Sequence, residues 1–321
     1  MQPTNWIRGW FALCVWAMIT GTFVLAVLVT APIYLPLHRL LRKGKDPALA
    51  YVSVVYHTVV VTICYKWIAG MTFEHVDERF PDKYDGQHVM FVPGAHTPSL
   101  LMIPYYYLIC KHLSKRLLVS TKEFDPDEGD YVTELFVRVL EWIRCRVAMP
   151  RGKKLSHGQL VEHMRTAIET QARHPRALTV STDKSRAKKV AIVEERVKYS
   201  AILWEMYGIK DDLSWMTSTL FPRVRGFLAT IEAMPIGGRV VFLFAGLNRP
   251  IWSISEPHKM INSHFRYFFV EAHLHMLKRR AGESHKEWEK RIMVYLIRHW
   301  IDFNERKAEW QAPPVEEELS A

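Results

Sequence analysis

The sequence predicts an α/β protein with an N-terminal membrane helix or helical hairpin, followed by a domain with a mostly parallel sheet covered by helices. Three observations lead to this prediction. Residues 9–37 contain no charged side chain. Beyond residue 77, short apolar segments rich in β-branched residues alternate with helical ones, which is typical of a parallel sheet. The 321-residue chain is 49% hydrophobic, which excludes a disordered protein.

The first apolar segment, residues 9–37, is long enough to cross a bilayer, because about 20 apolar residues suffice. A cleaved signal peptide is the alternative, but its apolar region is usually only ~7–15 residues long. Pro32 and Pro36 are expected to break this helix near its end. Arg8 alone precedes the segment, whereas four cations follow it, so the positive-inside bias places the bulk of the chain in the cytoplasm. These cations are Arg39, Arg42, Lys43 and Lys45.

The second apolar segment, residues 47–65, is rich in β-branched residues and Tyr, but His57 interrupts it and Lys66 closes it. Three interpretations stay open. The segment crosses the membrane a second time and completes a hairpin, lies in the interface, or is a buried core helix. We assign residues 1–70 to the membrane-anchoring part of the chain.

The elements that follow form the predicted α/β domain, residues 71–312, and residues 313–321 are an acidic tail that we expect to fray. The last helix starts at a capping box, Ser284-x-x-Glu287, and carries apolar residues along one face. Strands are predicted at 88–92, 116–120, 177–182, 239–246 and 265–274, and helices at 99–110, 133–145, 159–171 and 224–233.

Charge and cysteine content narrow the class of partner. The 43 Lys and Arg exceed the 33 Asp and Glu, which leaves a formal net charge of +10 and indicates a polyanionic partner. An anchored chain without a recognisable nucleic-acid-binding module favours phospholipid over nucleic acid.

The cysteines are far apart and lack metal-ligand spacing, so we expect buried free thiols and no metal site. They are Cys14, Cys64, Cys110 and Cys145.

Two short motifs carry candidate chemistry. His96 comes directly after the strand at 88–92 and before a helix, which is where α/β proteins place functional groups, at the carboxyl ends of strands. The alternative is a structural histidine, hydrogen-bonded in a turn. Residues 182–189, with Lys184 and Arg186 among four cations, follow the strand at 177–182 and suit a phosphate group. The alternative there is a solvated basic loop.

These motifs resemble those of the glycerophospholipid acyltransferases of the 1-acyl-sn-glycerol-3-phosphate acyltransferase type. The resemblance is to the branch that holds lysocardiolipin acyltransferase and its bacterial inner-membrane relatives. His96 and the four residues after it match an Asn-His-x-x-x-x-Asp motif, Lys122 matches a Lys after the next strand, and residues 181–186 align with Phe-Pro-Glu-Gly-Thr-Arg. A Pro-Arg-x-x-Gly-Phe segment is matched by Pro222, Arg223, Gly226 and Phe227.

The resemblance implies a membrane-bound enzyme that moves a fatty acyl group from acyl-CoA or acyl carrier protein to a hydroxyl of a lysophospholipid such as lysophosphatidate. It implies His96 as general base, no metal or other cofactor, and a lipid phosphate held by four cations. These cations are Arg186, Lys184, Lys122 and Arg223.

The chain departs from the family at two positions. Leu101 stands where the family has its catalytic Asp, and Asp183-Lys184 stand in place of Glu-Gly. A His of this kind needs a carboxylate to orient it, and Asp183 is our candidate for that carboxylate. The other candidates are Asp125, Asp127 and Asp130. The alternative function is a catalytically degenerate relative that binds lysophospholipid, acyl chains or a protein partner without turnover.

Overall fold

The structure is a computed structural model that describes the following parts of the chain. These are residues 3–41, 49–76, 89–93, 99–112, 117–122, 146–149, 155–171, 177–179, 189–217, 219–222, 224–235, 237–249, 251 and 255–311.

Two apolar helices form an antiparallel pair at the N-terminal end, which we call the N-terminal hairpin. Helix α1 is Pro3–Leu41, and α2 is Leu49–Val60, which continues as a π-helical segment, Val61–Ile68. The Arg8 guanidinium donates to the Ile68 carbonyl oxygen at 2.7 Å, and the hydroxyls of Thr20 and Tyr56 lie 2.7 Å apart. The two helices therefore run side by side in opposite directions.

Only one described helix is long and apolar enough to cross a bilayer, namely α1, over Pro3–Thr30. This is compatible with membrane attachment, while the cytoplasmic orientation stays a prediction. The expectation that Pro32 and Pro36 break α1 is wrong, because both lie inside the helix. Each proline lacks a backbone N–H and so removes one hydrogen bond from the helix. The helix still pairs the other backbone groups of this apolar segment within itself, which no other conformation of the segment would do.

The strands form one mixed sheet in the order β1-β7-β6-β2-β5-β3-β4. Neighbouring strands are parallel except for β6 and β7, which form the longest ladder and are antiparallel. The mixed α/β class is confirmed, and the antiparallel pair makes the sheet less uniform than predicted. The strands are β1 Thr72–His75, β2 Val89–Pro93, β3 Leu117–Lys122, β4 Arg146–Met149, β5 Ala177–Thr179, β6 Arg239–Leu247 and β7 His264–His273.

Helices cover both faces of the sheet. Side chains of β6 alternate between the two faces: Phe242 and Phe244 belong to a cluster with the later helices, and Val241 and Leu243 to a cluster with the N-terminal hairpin. The other helices are α3 Ser99–His112, α4 His157–Gln171, α5 Lys189–Tyr207, α6 Val224–Ala233, α7 Leu274–Leu277 and α8 His285–Gln311, with a 3₁₀ turn at Pro257–Met260.

Helix α8 starts as the capping box predicts. The Ser284 backbone N–H donates to Glu287 Oε2 at 2.8 Å, and the Glu287 backbone N–H donates to Ser284 Oγ at 3.3 Å. The predicted apolar face is buried: Trp288, Ile292, Leu296, Trp300 and Phe303 all lie in the core. The predicted helix at 133–145 lies outside the described residues.

The cysteine prediction needs one correction. Cys64 and Cys110 are buried free thiols, as expected, but Cys14 is exposed. Cys14 lies on the face of α1 that no described element covers, so its neighbours in the helix are apolar but it is not part of the protein core. Cys145 falls outside the part of the chain that the structure describes.

Candidate functional site

Three neighbouring parallel strands bring their carboxyl ends to one edge of the sheet. Phe91 of β2 lies beside Thr179 of β5, and Thr179 lies beside Val119 of β3. Since adjacent strands are about 4.8 Å apart, β2 and β3 are separated by about 10 Å across β5. In open α/β sheets, ligands bind beyond this kind of edge, so it is the candidate site.

The predicted site residues follow these three strands in the chain. His96 is the third residue after the end of β2, and Asp183 the fourth after the end of β5. Lys122 is the last residue of β3, with its Cα beside that of Met149 in β4. His96 and Asp183 lie outside the described residues, and so do the remaining predicted cations and the alternative carboxylates. These are Lys184, Arg186, Arg223, Asp125, Asp127 and Asp130.

Leu101 lies in the first turn of α3, where the family motif would place its carboxylate. Its side chain is 4% exposed and belongs to the cluster formed with the N-terminal hairpin. In the same helix, the Tyr105 hydroxyl donates to the Ala245 carbonyl oxygen of β6 at 2.7 Å. Helix α3 is thus fixed against the sheet with an apolar residue at this position.

The segment before α6 is held in place by α5. The Phe221 backbone N–H donates to a Glu195 carboxylate oxygen at 2.9 Å, and the Phe221 ring stacks on Tyr199 with centroids 4.4 Å apart. Pro222 is buried, and Phe227 packs on Phe242 of the sheet. Two residues of the Pro-Arg-x-x-Gly-Phe match therefore serve packing in this structure.

A titratable cluster that the sequence did not predict lies among α4, α6 and α8, on the other face of the sheet from α3. His157 Nε2 lies 2.8 Å from a Glu232 carboxylate oxygen, and its ring is 4.5 Å from that of His285. These residues are far apart in the chain, so no local motif could have indicated the cluster. Over the described ranges, no group of three or more His, Cys, Asp or Glu side chains is arranged to hold a metal ion.

Comparisons of the chain with protein-family models, with curated proteins and with solved structures give no match. The resemblance to the acyltransferases therefore depends on the motifs of this sequence alone.

Proposed function

We propose that this protein is a membrane-bound acyltransferase that transfers a fatty acyl group from acyl-CoA or acyl carrier protein to a hydroxyl of a lysophospholipid such as lysophosphatidate. The observation that supports this proposal most is the parallel neighbourhood of β2, β5 and β3. These three strands are far apart in the chain and end at one edge of the sheet, and the motif residues follow or end them in the sequence. Groups on them would then converge on one substrate.

In the proposed reaction, His96 takes the proton from the acceptor hydroxyl as that oxygen attacks the thioester carbonyl carbon. The tetrahedral intermediate then expels the thiolate of the donor, which receives the proton back from the His96 imidazolium. An ester bond forms and a thioester bond breaks, so the proton and electron count balances. The thioester is already activated, and the step calls on no further cofactor.

The basic residues supply the second part of the proposal. Arg186 and Lys184 follow β5, Lys122 ends β3, and Arg223 directly precedes α6. Guanidinium groups bind phosphate oxygens in pairs, and ammonium groups add point charges. In this proposal they hold the phosphate of the acceptor lipid while its hydroxyl faces His96.

The buried Leu101 gives a specific reason to keep the second function. Without a carboxylate at this position, the imidazole tautomer must be fixed by Asp183 or another acid, or not at all. In a serine-protease triad, replacing the equivalent Asp by Asn costs roughly 10⁴ in rate. A protein that binds lysophospholipid or acyl chains without turnover is therefore the alternative.

The test offers purified full-length protein in detergent a panel of acyl-CoAs and acyl carrier proteins, with lysophosphatidate and other lysophospholipids as acceptors. We expect transfer by the wild type and a fall of ~10²–10⁴-fold in His96→Ala, the usual contribution of a general base. Asp183→Asn should also lower the rate, by up to roughly 10⁴-fold, if Asp183 orients the imidazole.

His275→Ala is the matched control, because His275 is exposed in α7, on the far end of β7. Its activity should equal that of the wild type. Transfer that His96→Ala leaves unchanged would contradict the proposed base. No transfer from any donor, together with saturable binding of lysophosphatidate, would establish the alternative function.

A further inference from the structure

Helix α5 has one buried face and one exposed apolar face. Its buried face carries Ile192, Leu203 and Tyr207, which belong to the apolar cluster formed with the later helices. On the other side, four exposed apolar residues follow each other along the helix, and at 3.6 residues per turn they lie within an arc of about 80°. We call them the α5 stripe: Val193, Val197, Ala201 and Trp204.

The α5 stripe is exposed enough to be an interaction surface. Val197 is 74% exposed and Trp204 is 61% exposed. A single exposed apolar side chain is ordinary, whereas a continuous apolar row on the surface marks a site of interaction. The buried side of α5 joins one core cluster and the N-terminal hairpin joins the other, on the opposite face of the sheet. A bilayer that holds the hairpin would therefore leave the α5 stripe uncovered.

Charged side chains follow one side of the stripe. Lys198 and Glu205 are both exposed. They are two helical turns apart on the same flank, about 10 Å along the helix axis. In the described part of the chain, neither side chain forms an ion pair. The Lys198 ammonium lies 5.6 Å from the centroid of the neighbouring Tyr199 ring.

These charges favour one way of pairing two copies of α5. In a parallel pair, Lys198 would face Lys198 and Glu205 would face Glu205. In an antiparallel pair with the two-fold axis between positions 201 and 202, Lys198 of each copy instead lies opposite Glu205 of the other. Charge pairs beside an interface fix its register and suppress pairings that bring like charges together.

The same register also matches the apolar side chains. At 1.5 Å per residue, Trp204 lies about 4 Å from the two-fold axis, between the levels of Ala201 and Val197 of the second copy, at about 1 and 7 Å. The small Ala201 side chain leaves space for the indole ring. Trp is among the residues that contribute most to binding at interfaces, and a two-fold pair buries it twice.

We propose that α5 is a homodimer interface. Two copies of this chain pair antiparallel through the α5 stripe, with Trp204 at the centre and a Lys198–Glu205 ion pair on either side of the two-fold axis. This inference goes beyond the proposed function, and it depends neither on acyl transfer nor on membrane attachment.

Sedimentation velocity of the full-length protein in density-matched detergent, over a range of protein concentrations, tests the dimer. We expect a monomer–dimer equilibrium. Trp204→Ala should raise the dissociation constant by roughly 30-fold or more, as at the centre of an interface. Trp67→Ala is the matched control, because Trp67 is also exposed but lies on the hairpin. Its dissociation constant should equal that of the wild type.

Charge reversal tests the pairing itself. Lys198→Glu brings like charges together and should raise the dissociation constant about tenfold, and Glu205→Lys should do the same. The double variant Lys198→Glu/Glu205→Lys restores opposite charges, so it should dimerise as the wild type does. Damage to the fold by the single substitutions would not be repaired in this way.

Disulfide cross-linking checks the register independently. In a Cys14→Ala/Cys145→Ala background, Ala201→Cys lies beside the two-fold axis, so mild oxidation should link two copies. Met206→Cys is the matched control, because Met206 is exposed on a different side of the same helix. It should give no link.

Each contrary outcome overturns the inference. A monomer at every concentration does so, and so does a dimer that Trp204→Ala leaves unchanged or that the double reversal fails to restore, since another surface or register then joins the copies. A monomer whose binding to phospholipid vesicles falls in Trp204→Ala means that lipid covers the stripe. None of these outcomes bears on the proposed acyl transfer, which is measured separately.

Discussion

Leu101 is the residue at which the sequence motif and the packing meet. Its side chain lies in an apolar cluster with Ile103, Tyr105 and residues of the sheet. Leu101→Asp, which introduces the Asp of the acyltransferase motif, would bury a carboxylate without a described partner, and burying an ion costs several kcal/mol. We therefore expect Leu101→Asp to lower the melting temperature in detergent strongly, whatever it does to activity.

Leu101→Met is the matched control, because it keeps the volume and should cost less than about 1.5 kcal/mol. A Leu101→Asp variant as stable as Leu101→Met would mean that polar groups reach this position, and a carboxylate there could then orient His96.

His299 makes a second prediction at the scale of one residue. Its ring packs on those of Phe242 and Tyr295, with ring centroids 5.7 and 4.5 Å away. Burial lowers the pKa of His299 from its usual 6.5, and the nearby Asp302 only partly opposes this. The unfolded chain therefore binds a proton more readily than the folded one.

The sign of the pH dependence follows from this difference. The contribution of His299 is fully present above pH 6.5 and is lost as the pH falls below that value. The melting temperature in detergent should therefore decrease between pH 7.5 and pH 5.5. His299→Gln should show a shallower decrease, and an unchanged slope would mean that other groups cause it.

At the scale of elements, the close contact between α1 and the 3₁₀ turn requires a residue without a side chain at position 9. Gly9→Ala would place a Cβ atom 2.7 Å from the backbone of the 3₁₀ turn, so α1 must move away. We expect a loss of about 1–3 kcal/mol, typical of overpacking. Gly21→Ala is the control within the same helix, because no atom of the described residues lies within 4 Å of its added Cβ.

Gly21→Ala should leave stability unchanged or raise it by about 0.5–1 kcal/mol, the usual preference of a helix for Ala over Gly. Thermal unfolding of both variants in the same detergent measures the difference. Equal melting temperatures would mean that α1 is not held against the turn at Gly9.

The elements also show how far the sequence could be interpreted. β2, β6, β7 and α8 were predicted nearly to their ends, because local composition and capping define them. β1 and β4 were missed, since each has four residues and forms only by pairing with a strand that is distant in the chain. The neighbourhood of β2, β5 and β3 at the candidate site is likewise set by strand order, which local patterns do not contain.

For the whole molecule, a change of composition predicted a boundary at residue 70, between the membrane-anchoring part and the α/β domain. In the structure, one apolar cluster contains Tyr56, Val60 and Val61 of the hairpin together with Leu243 and Phe265 of the sheet. The hairpin thus contributes to the core on one face of the sheet. A composition shift indicates where apolar residues concentrate, but it does not reveal which of them face protein.

This shared core predicts that residues 71–321 do not fold as a separate soluble domain. Without the hairpin, the apolar side chains on that sheet face lose their cover, and water would contact them. Residues 71–321 should aggregate or lack a cooperative thermal transition, whereas the full chain in detergent unfolds cooperatively. Residues 42–321 are the matched control: they keep α2 and the π-helical segment, and should unfold cooperatively at a reduced temperature. A monodisperse, cooperatively unfolding 71–321 fragment would instead show that the N-terminal hairpin and the α/β part are independent units.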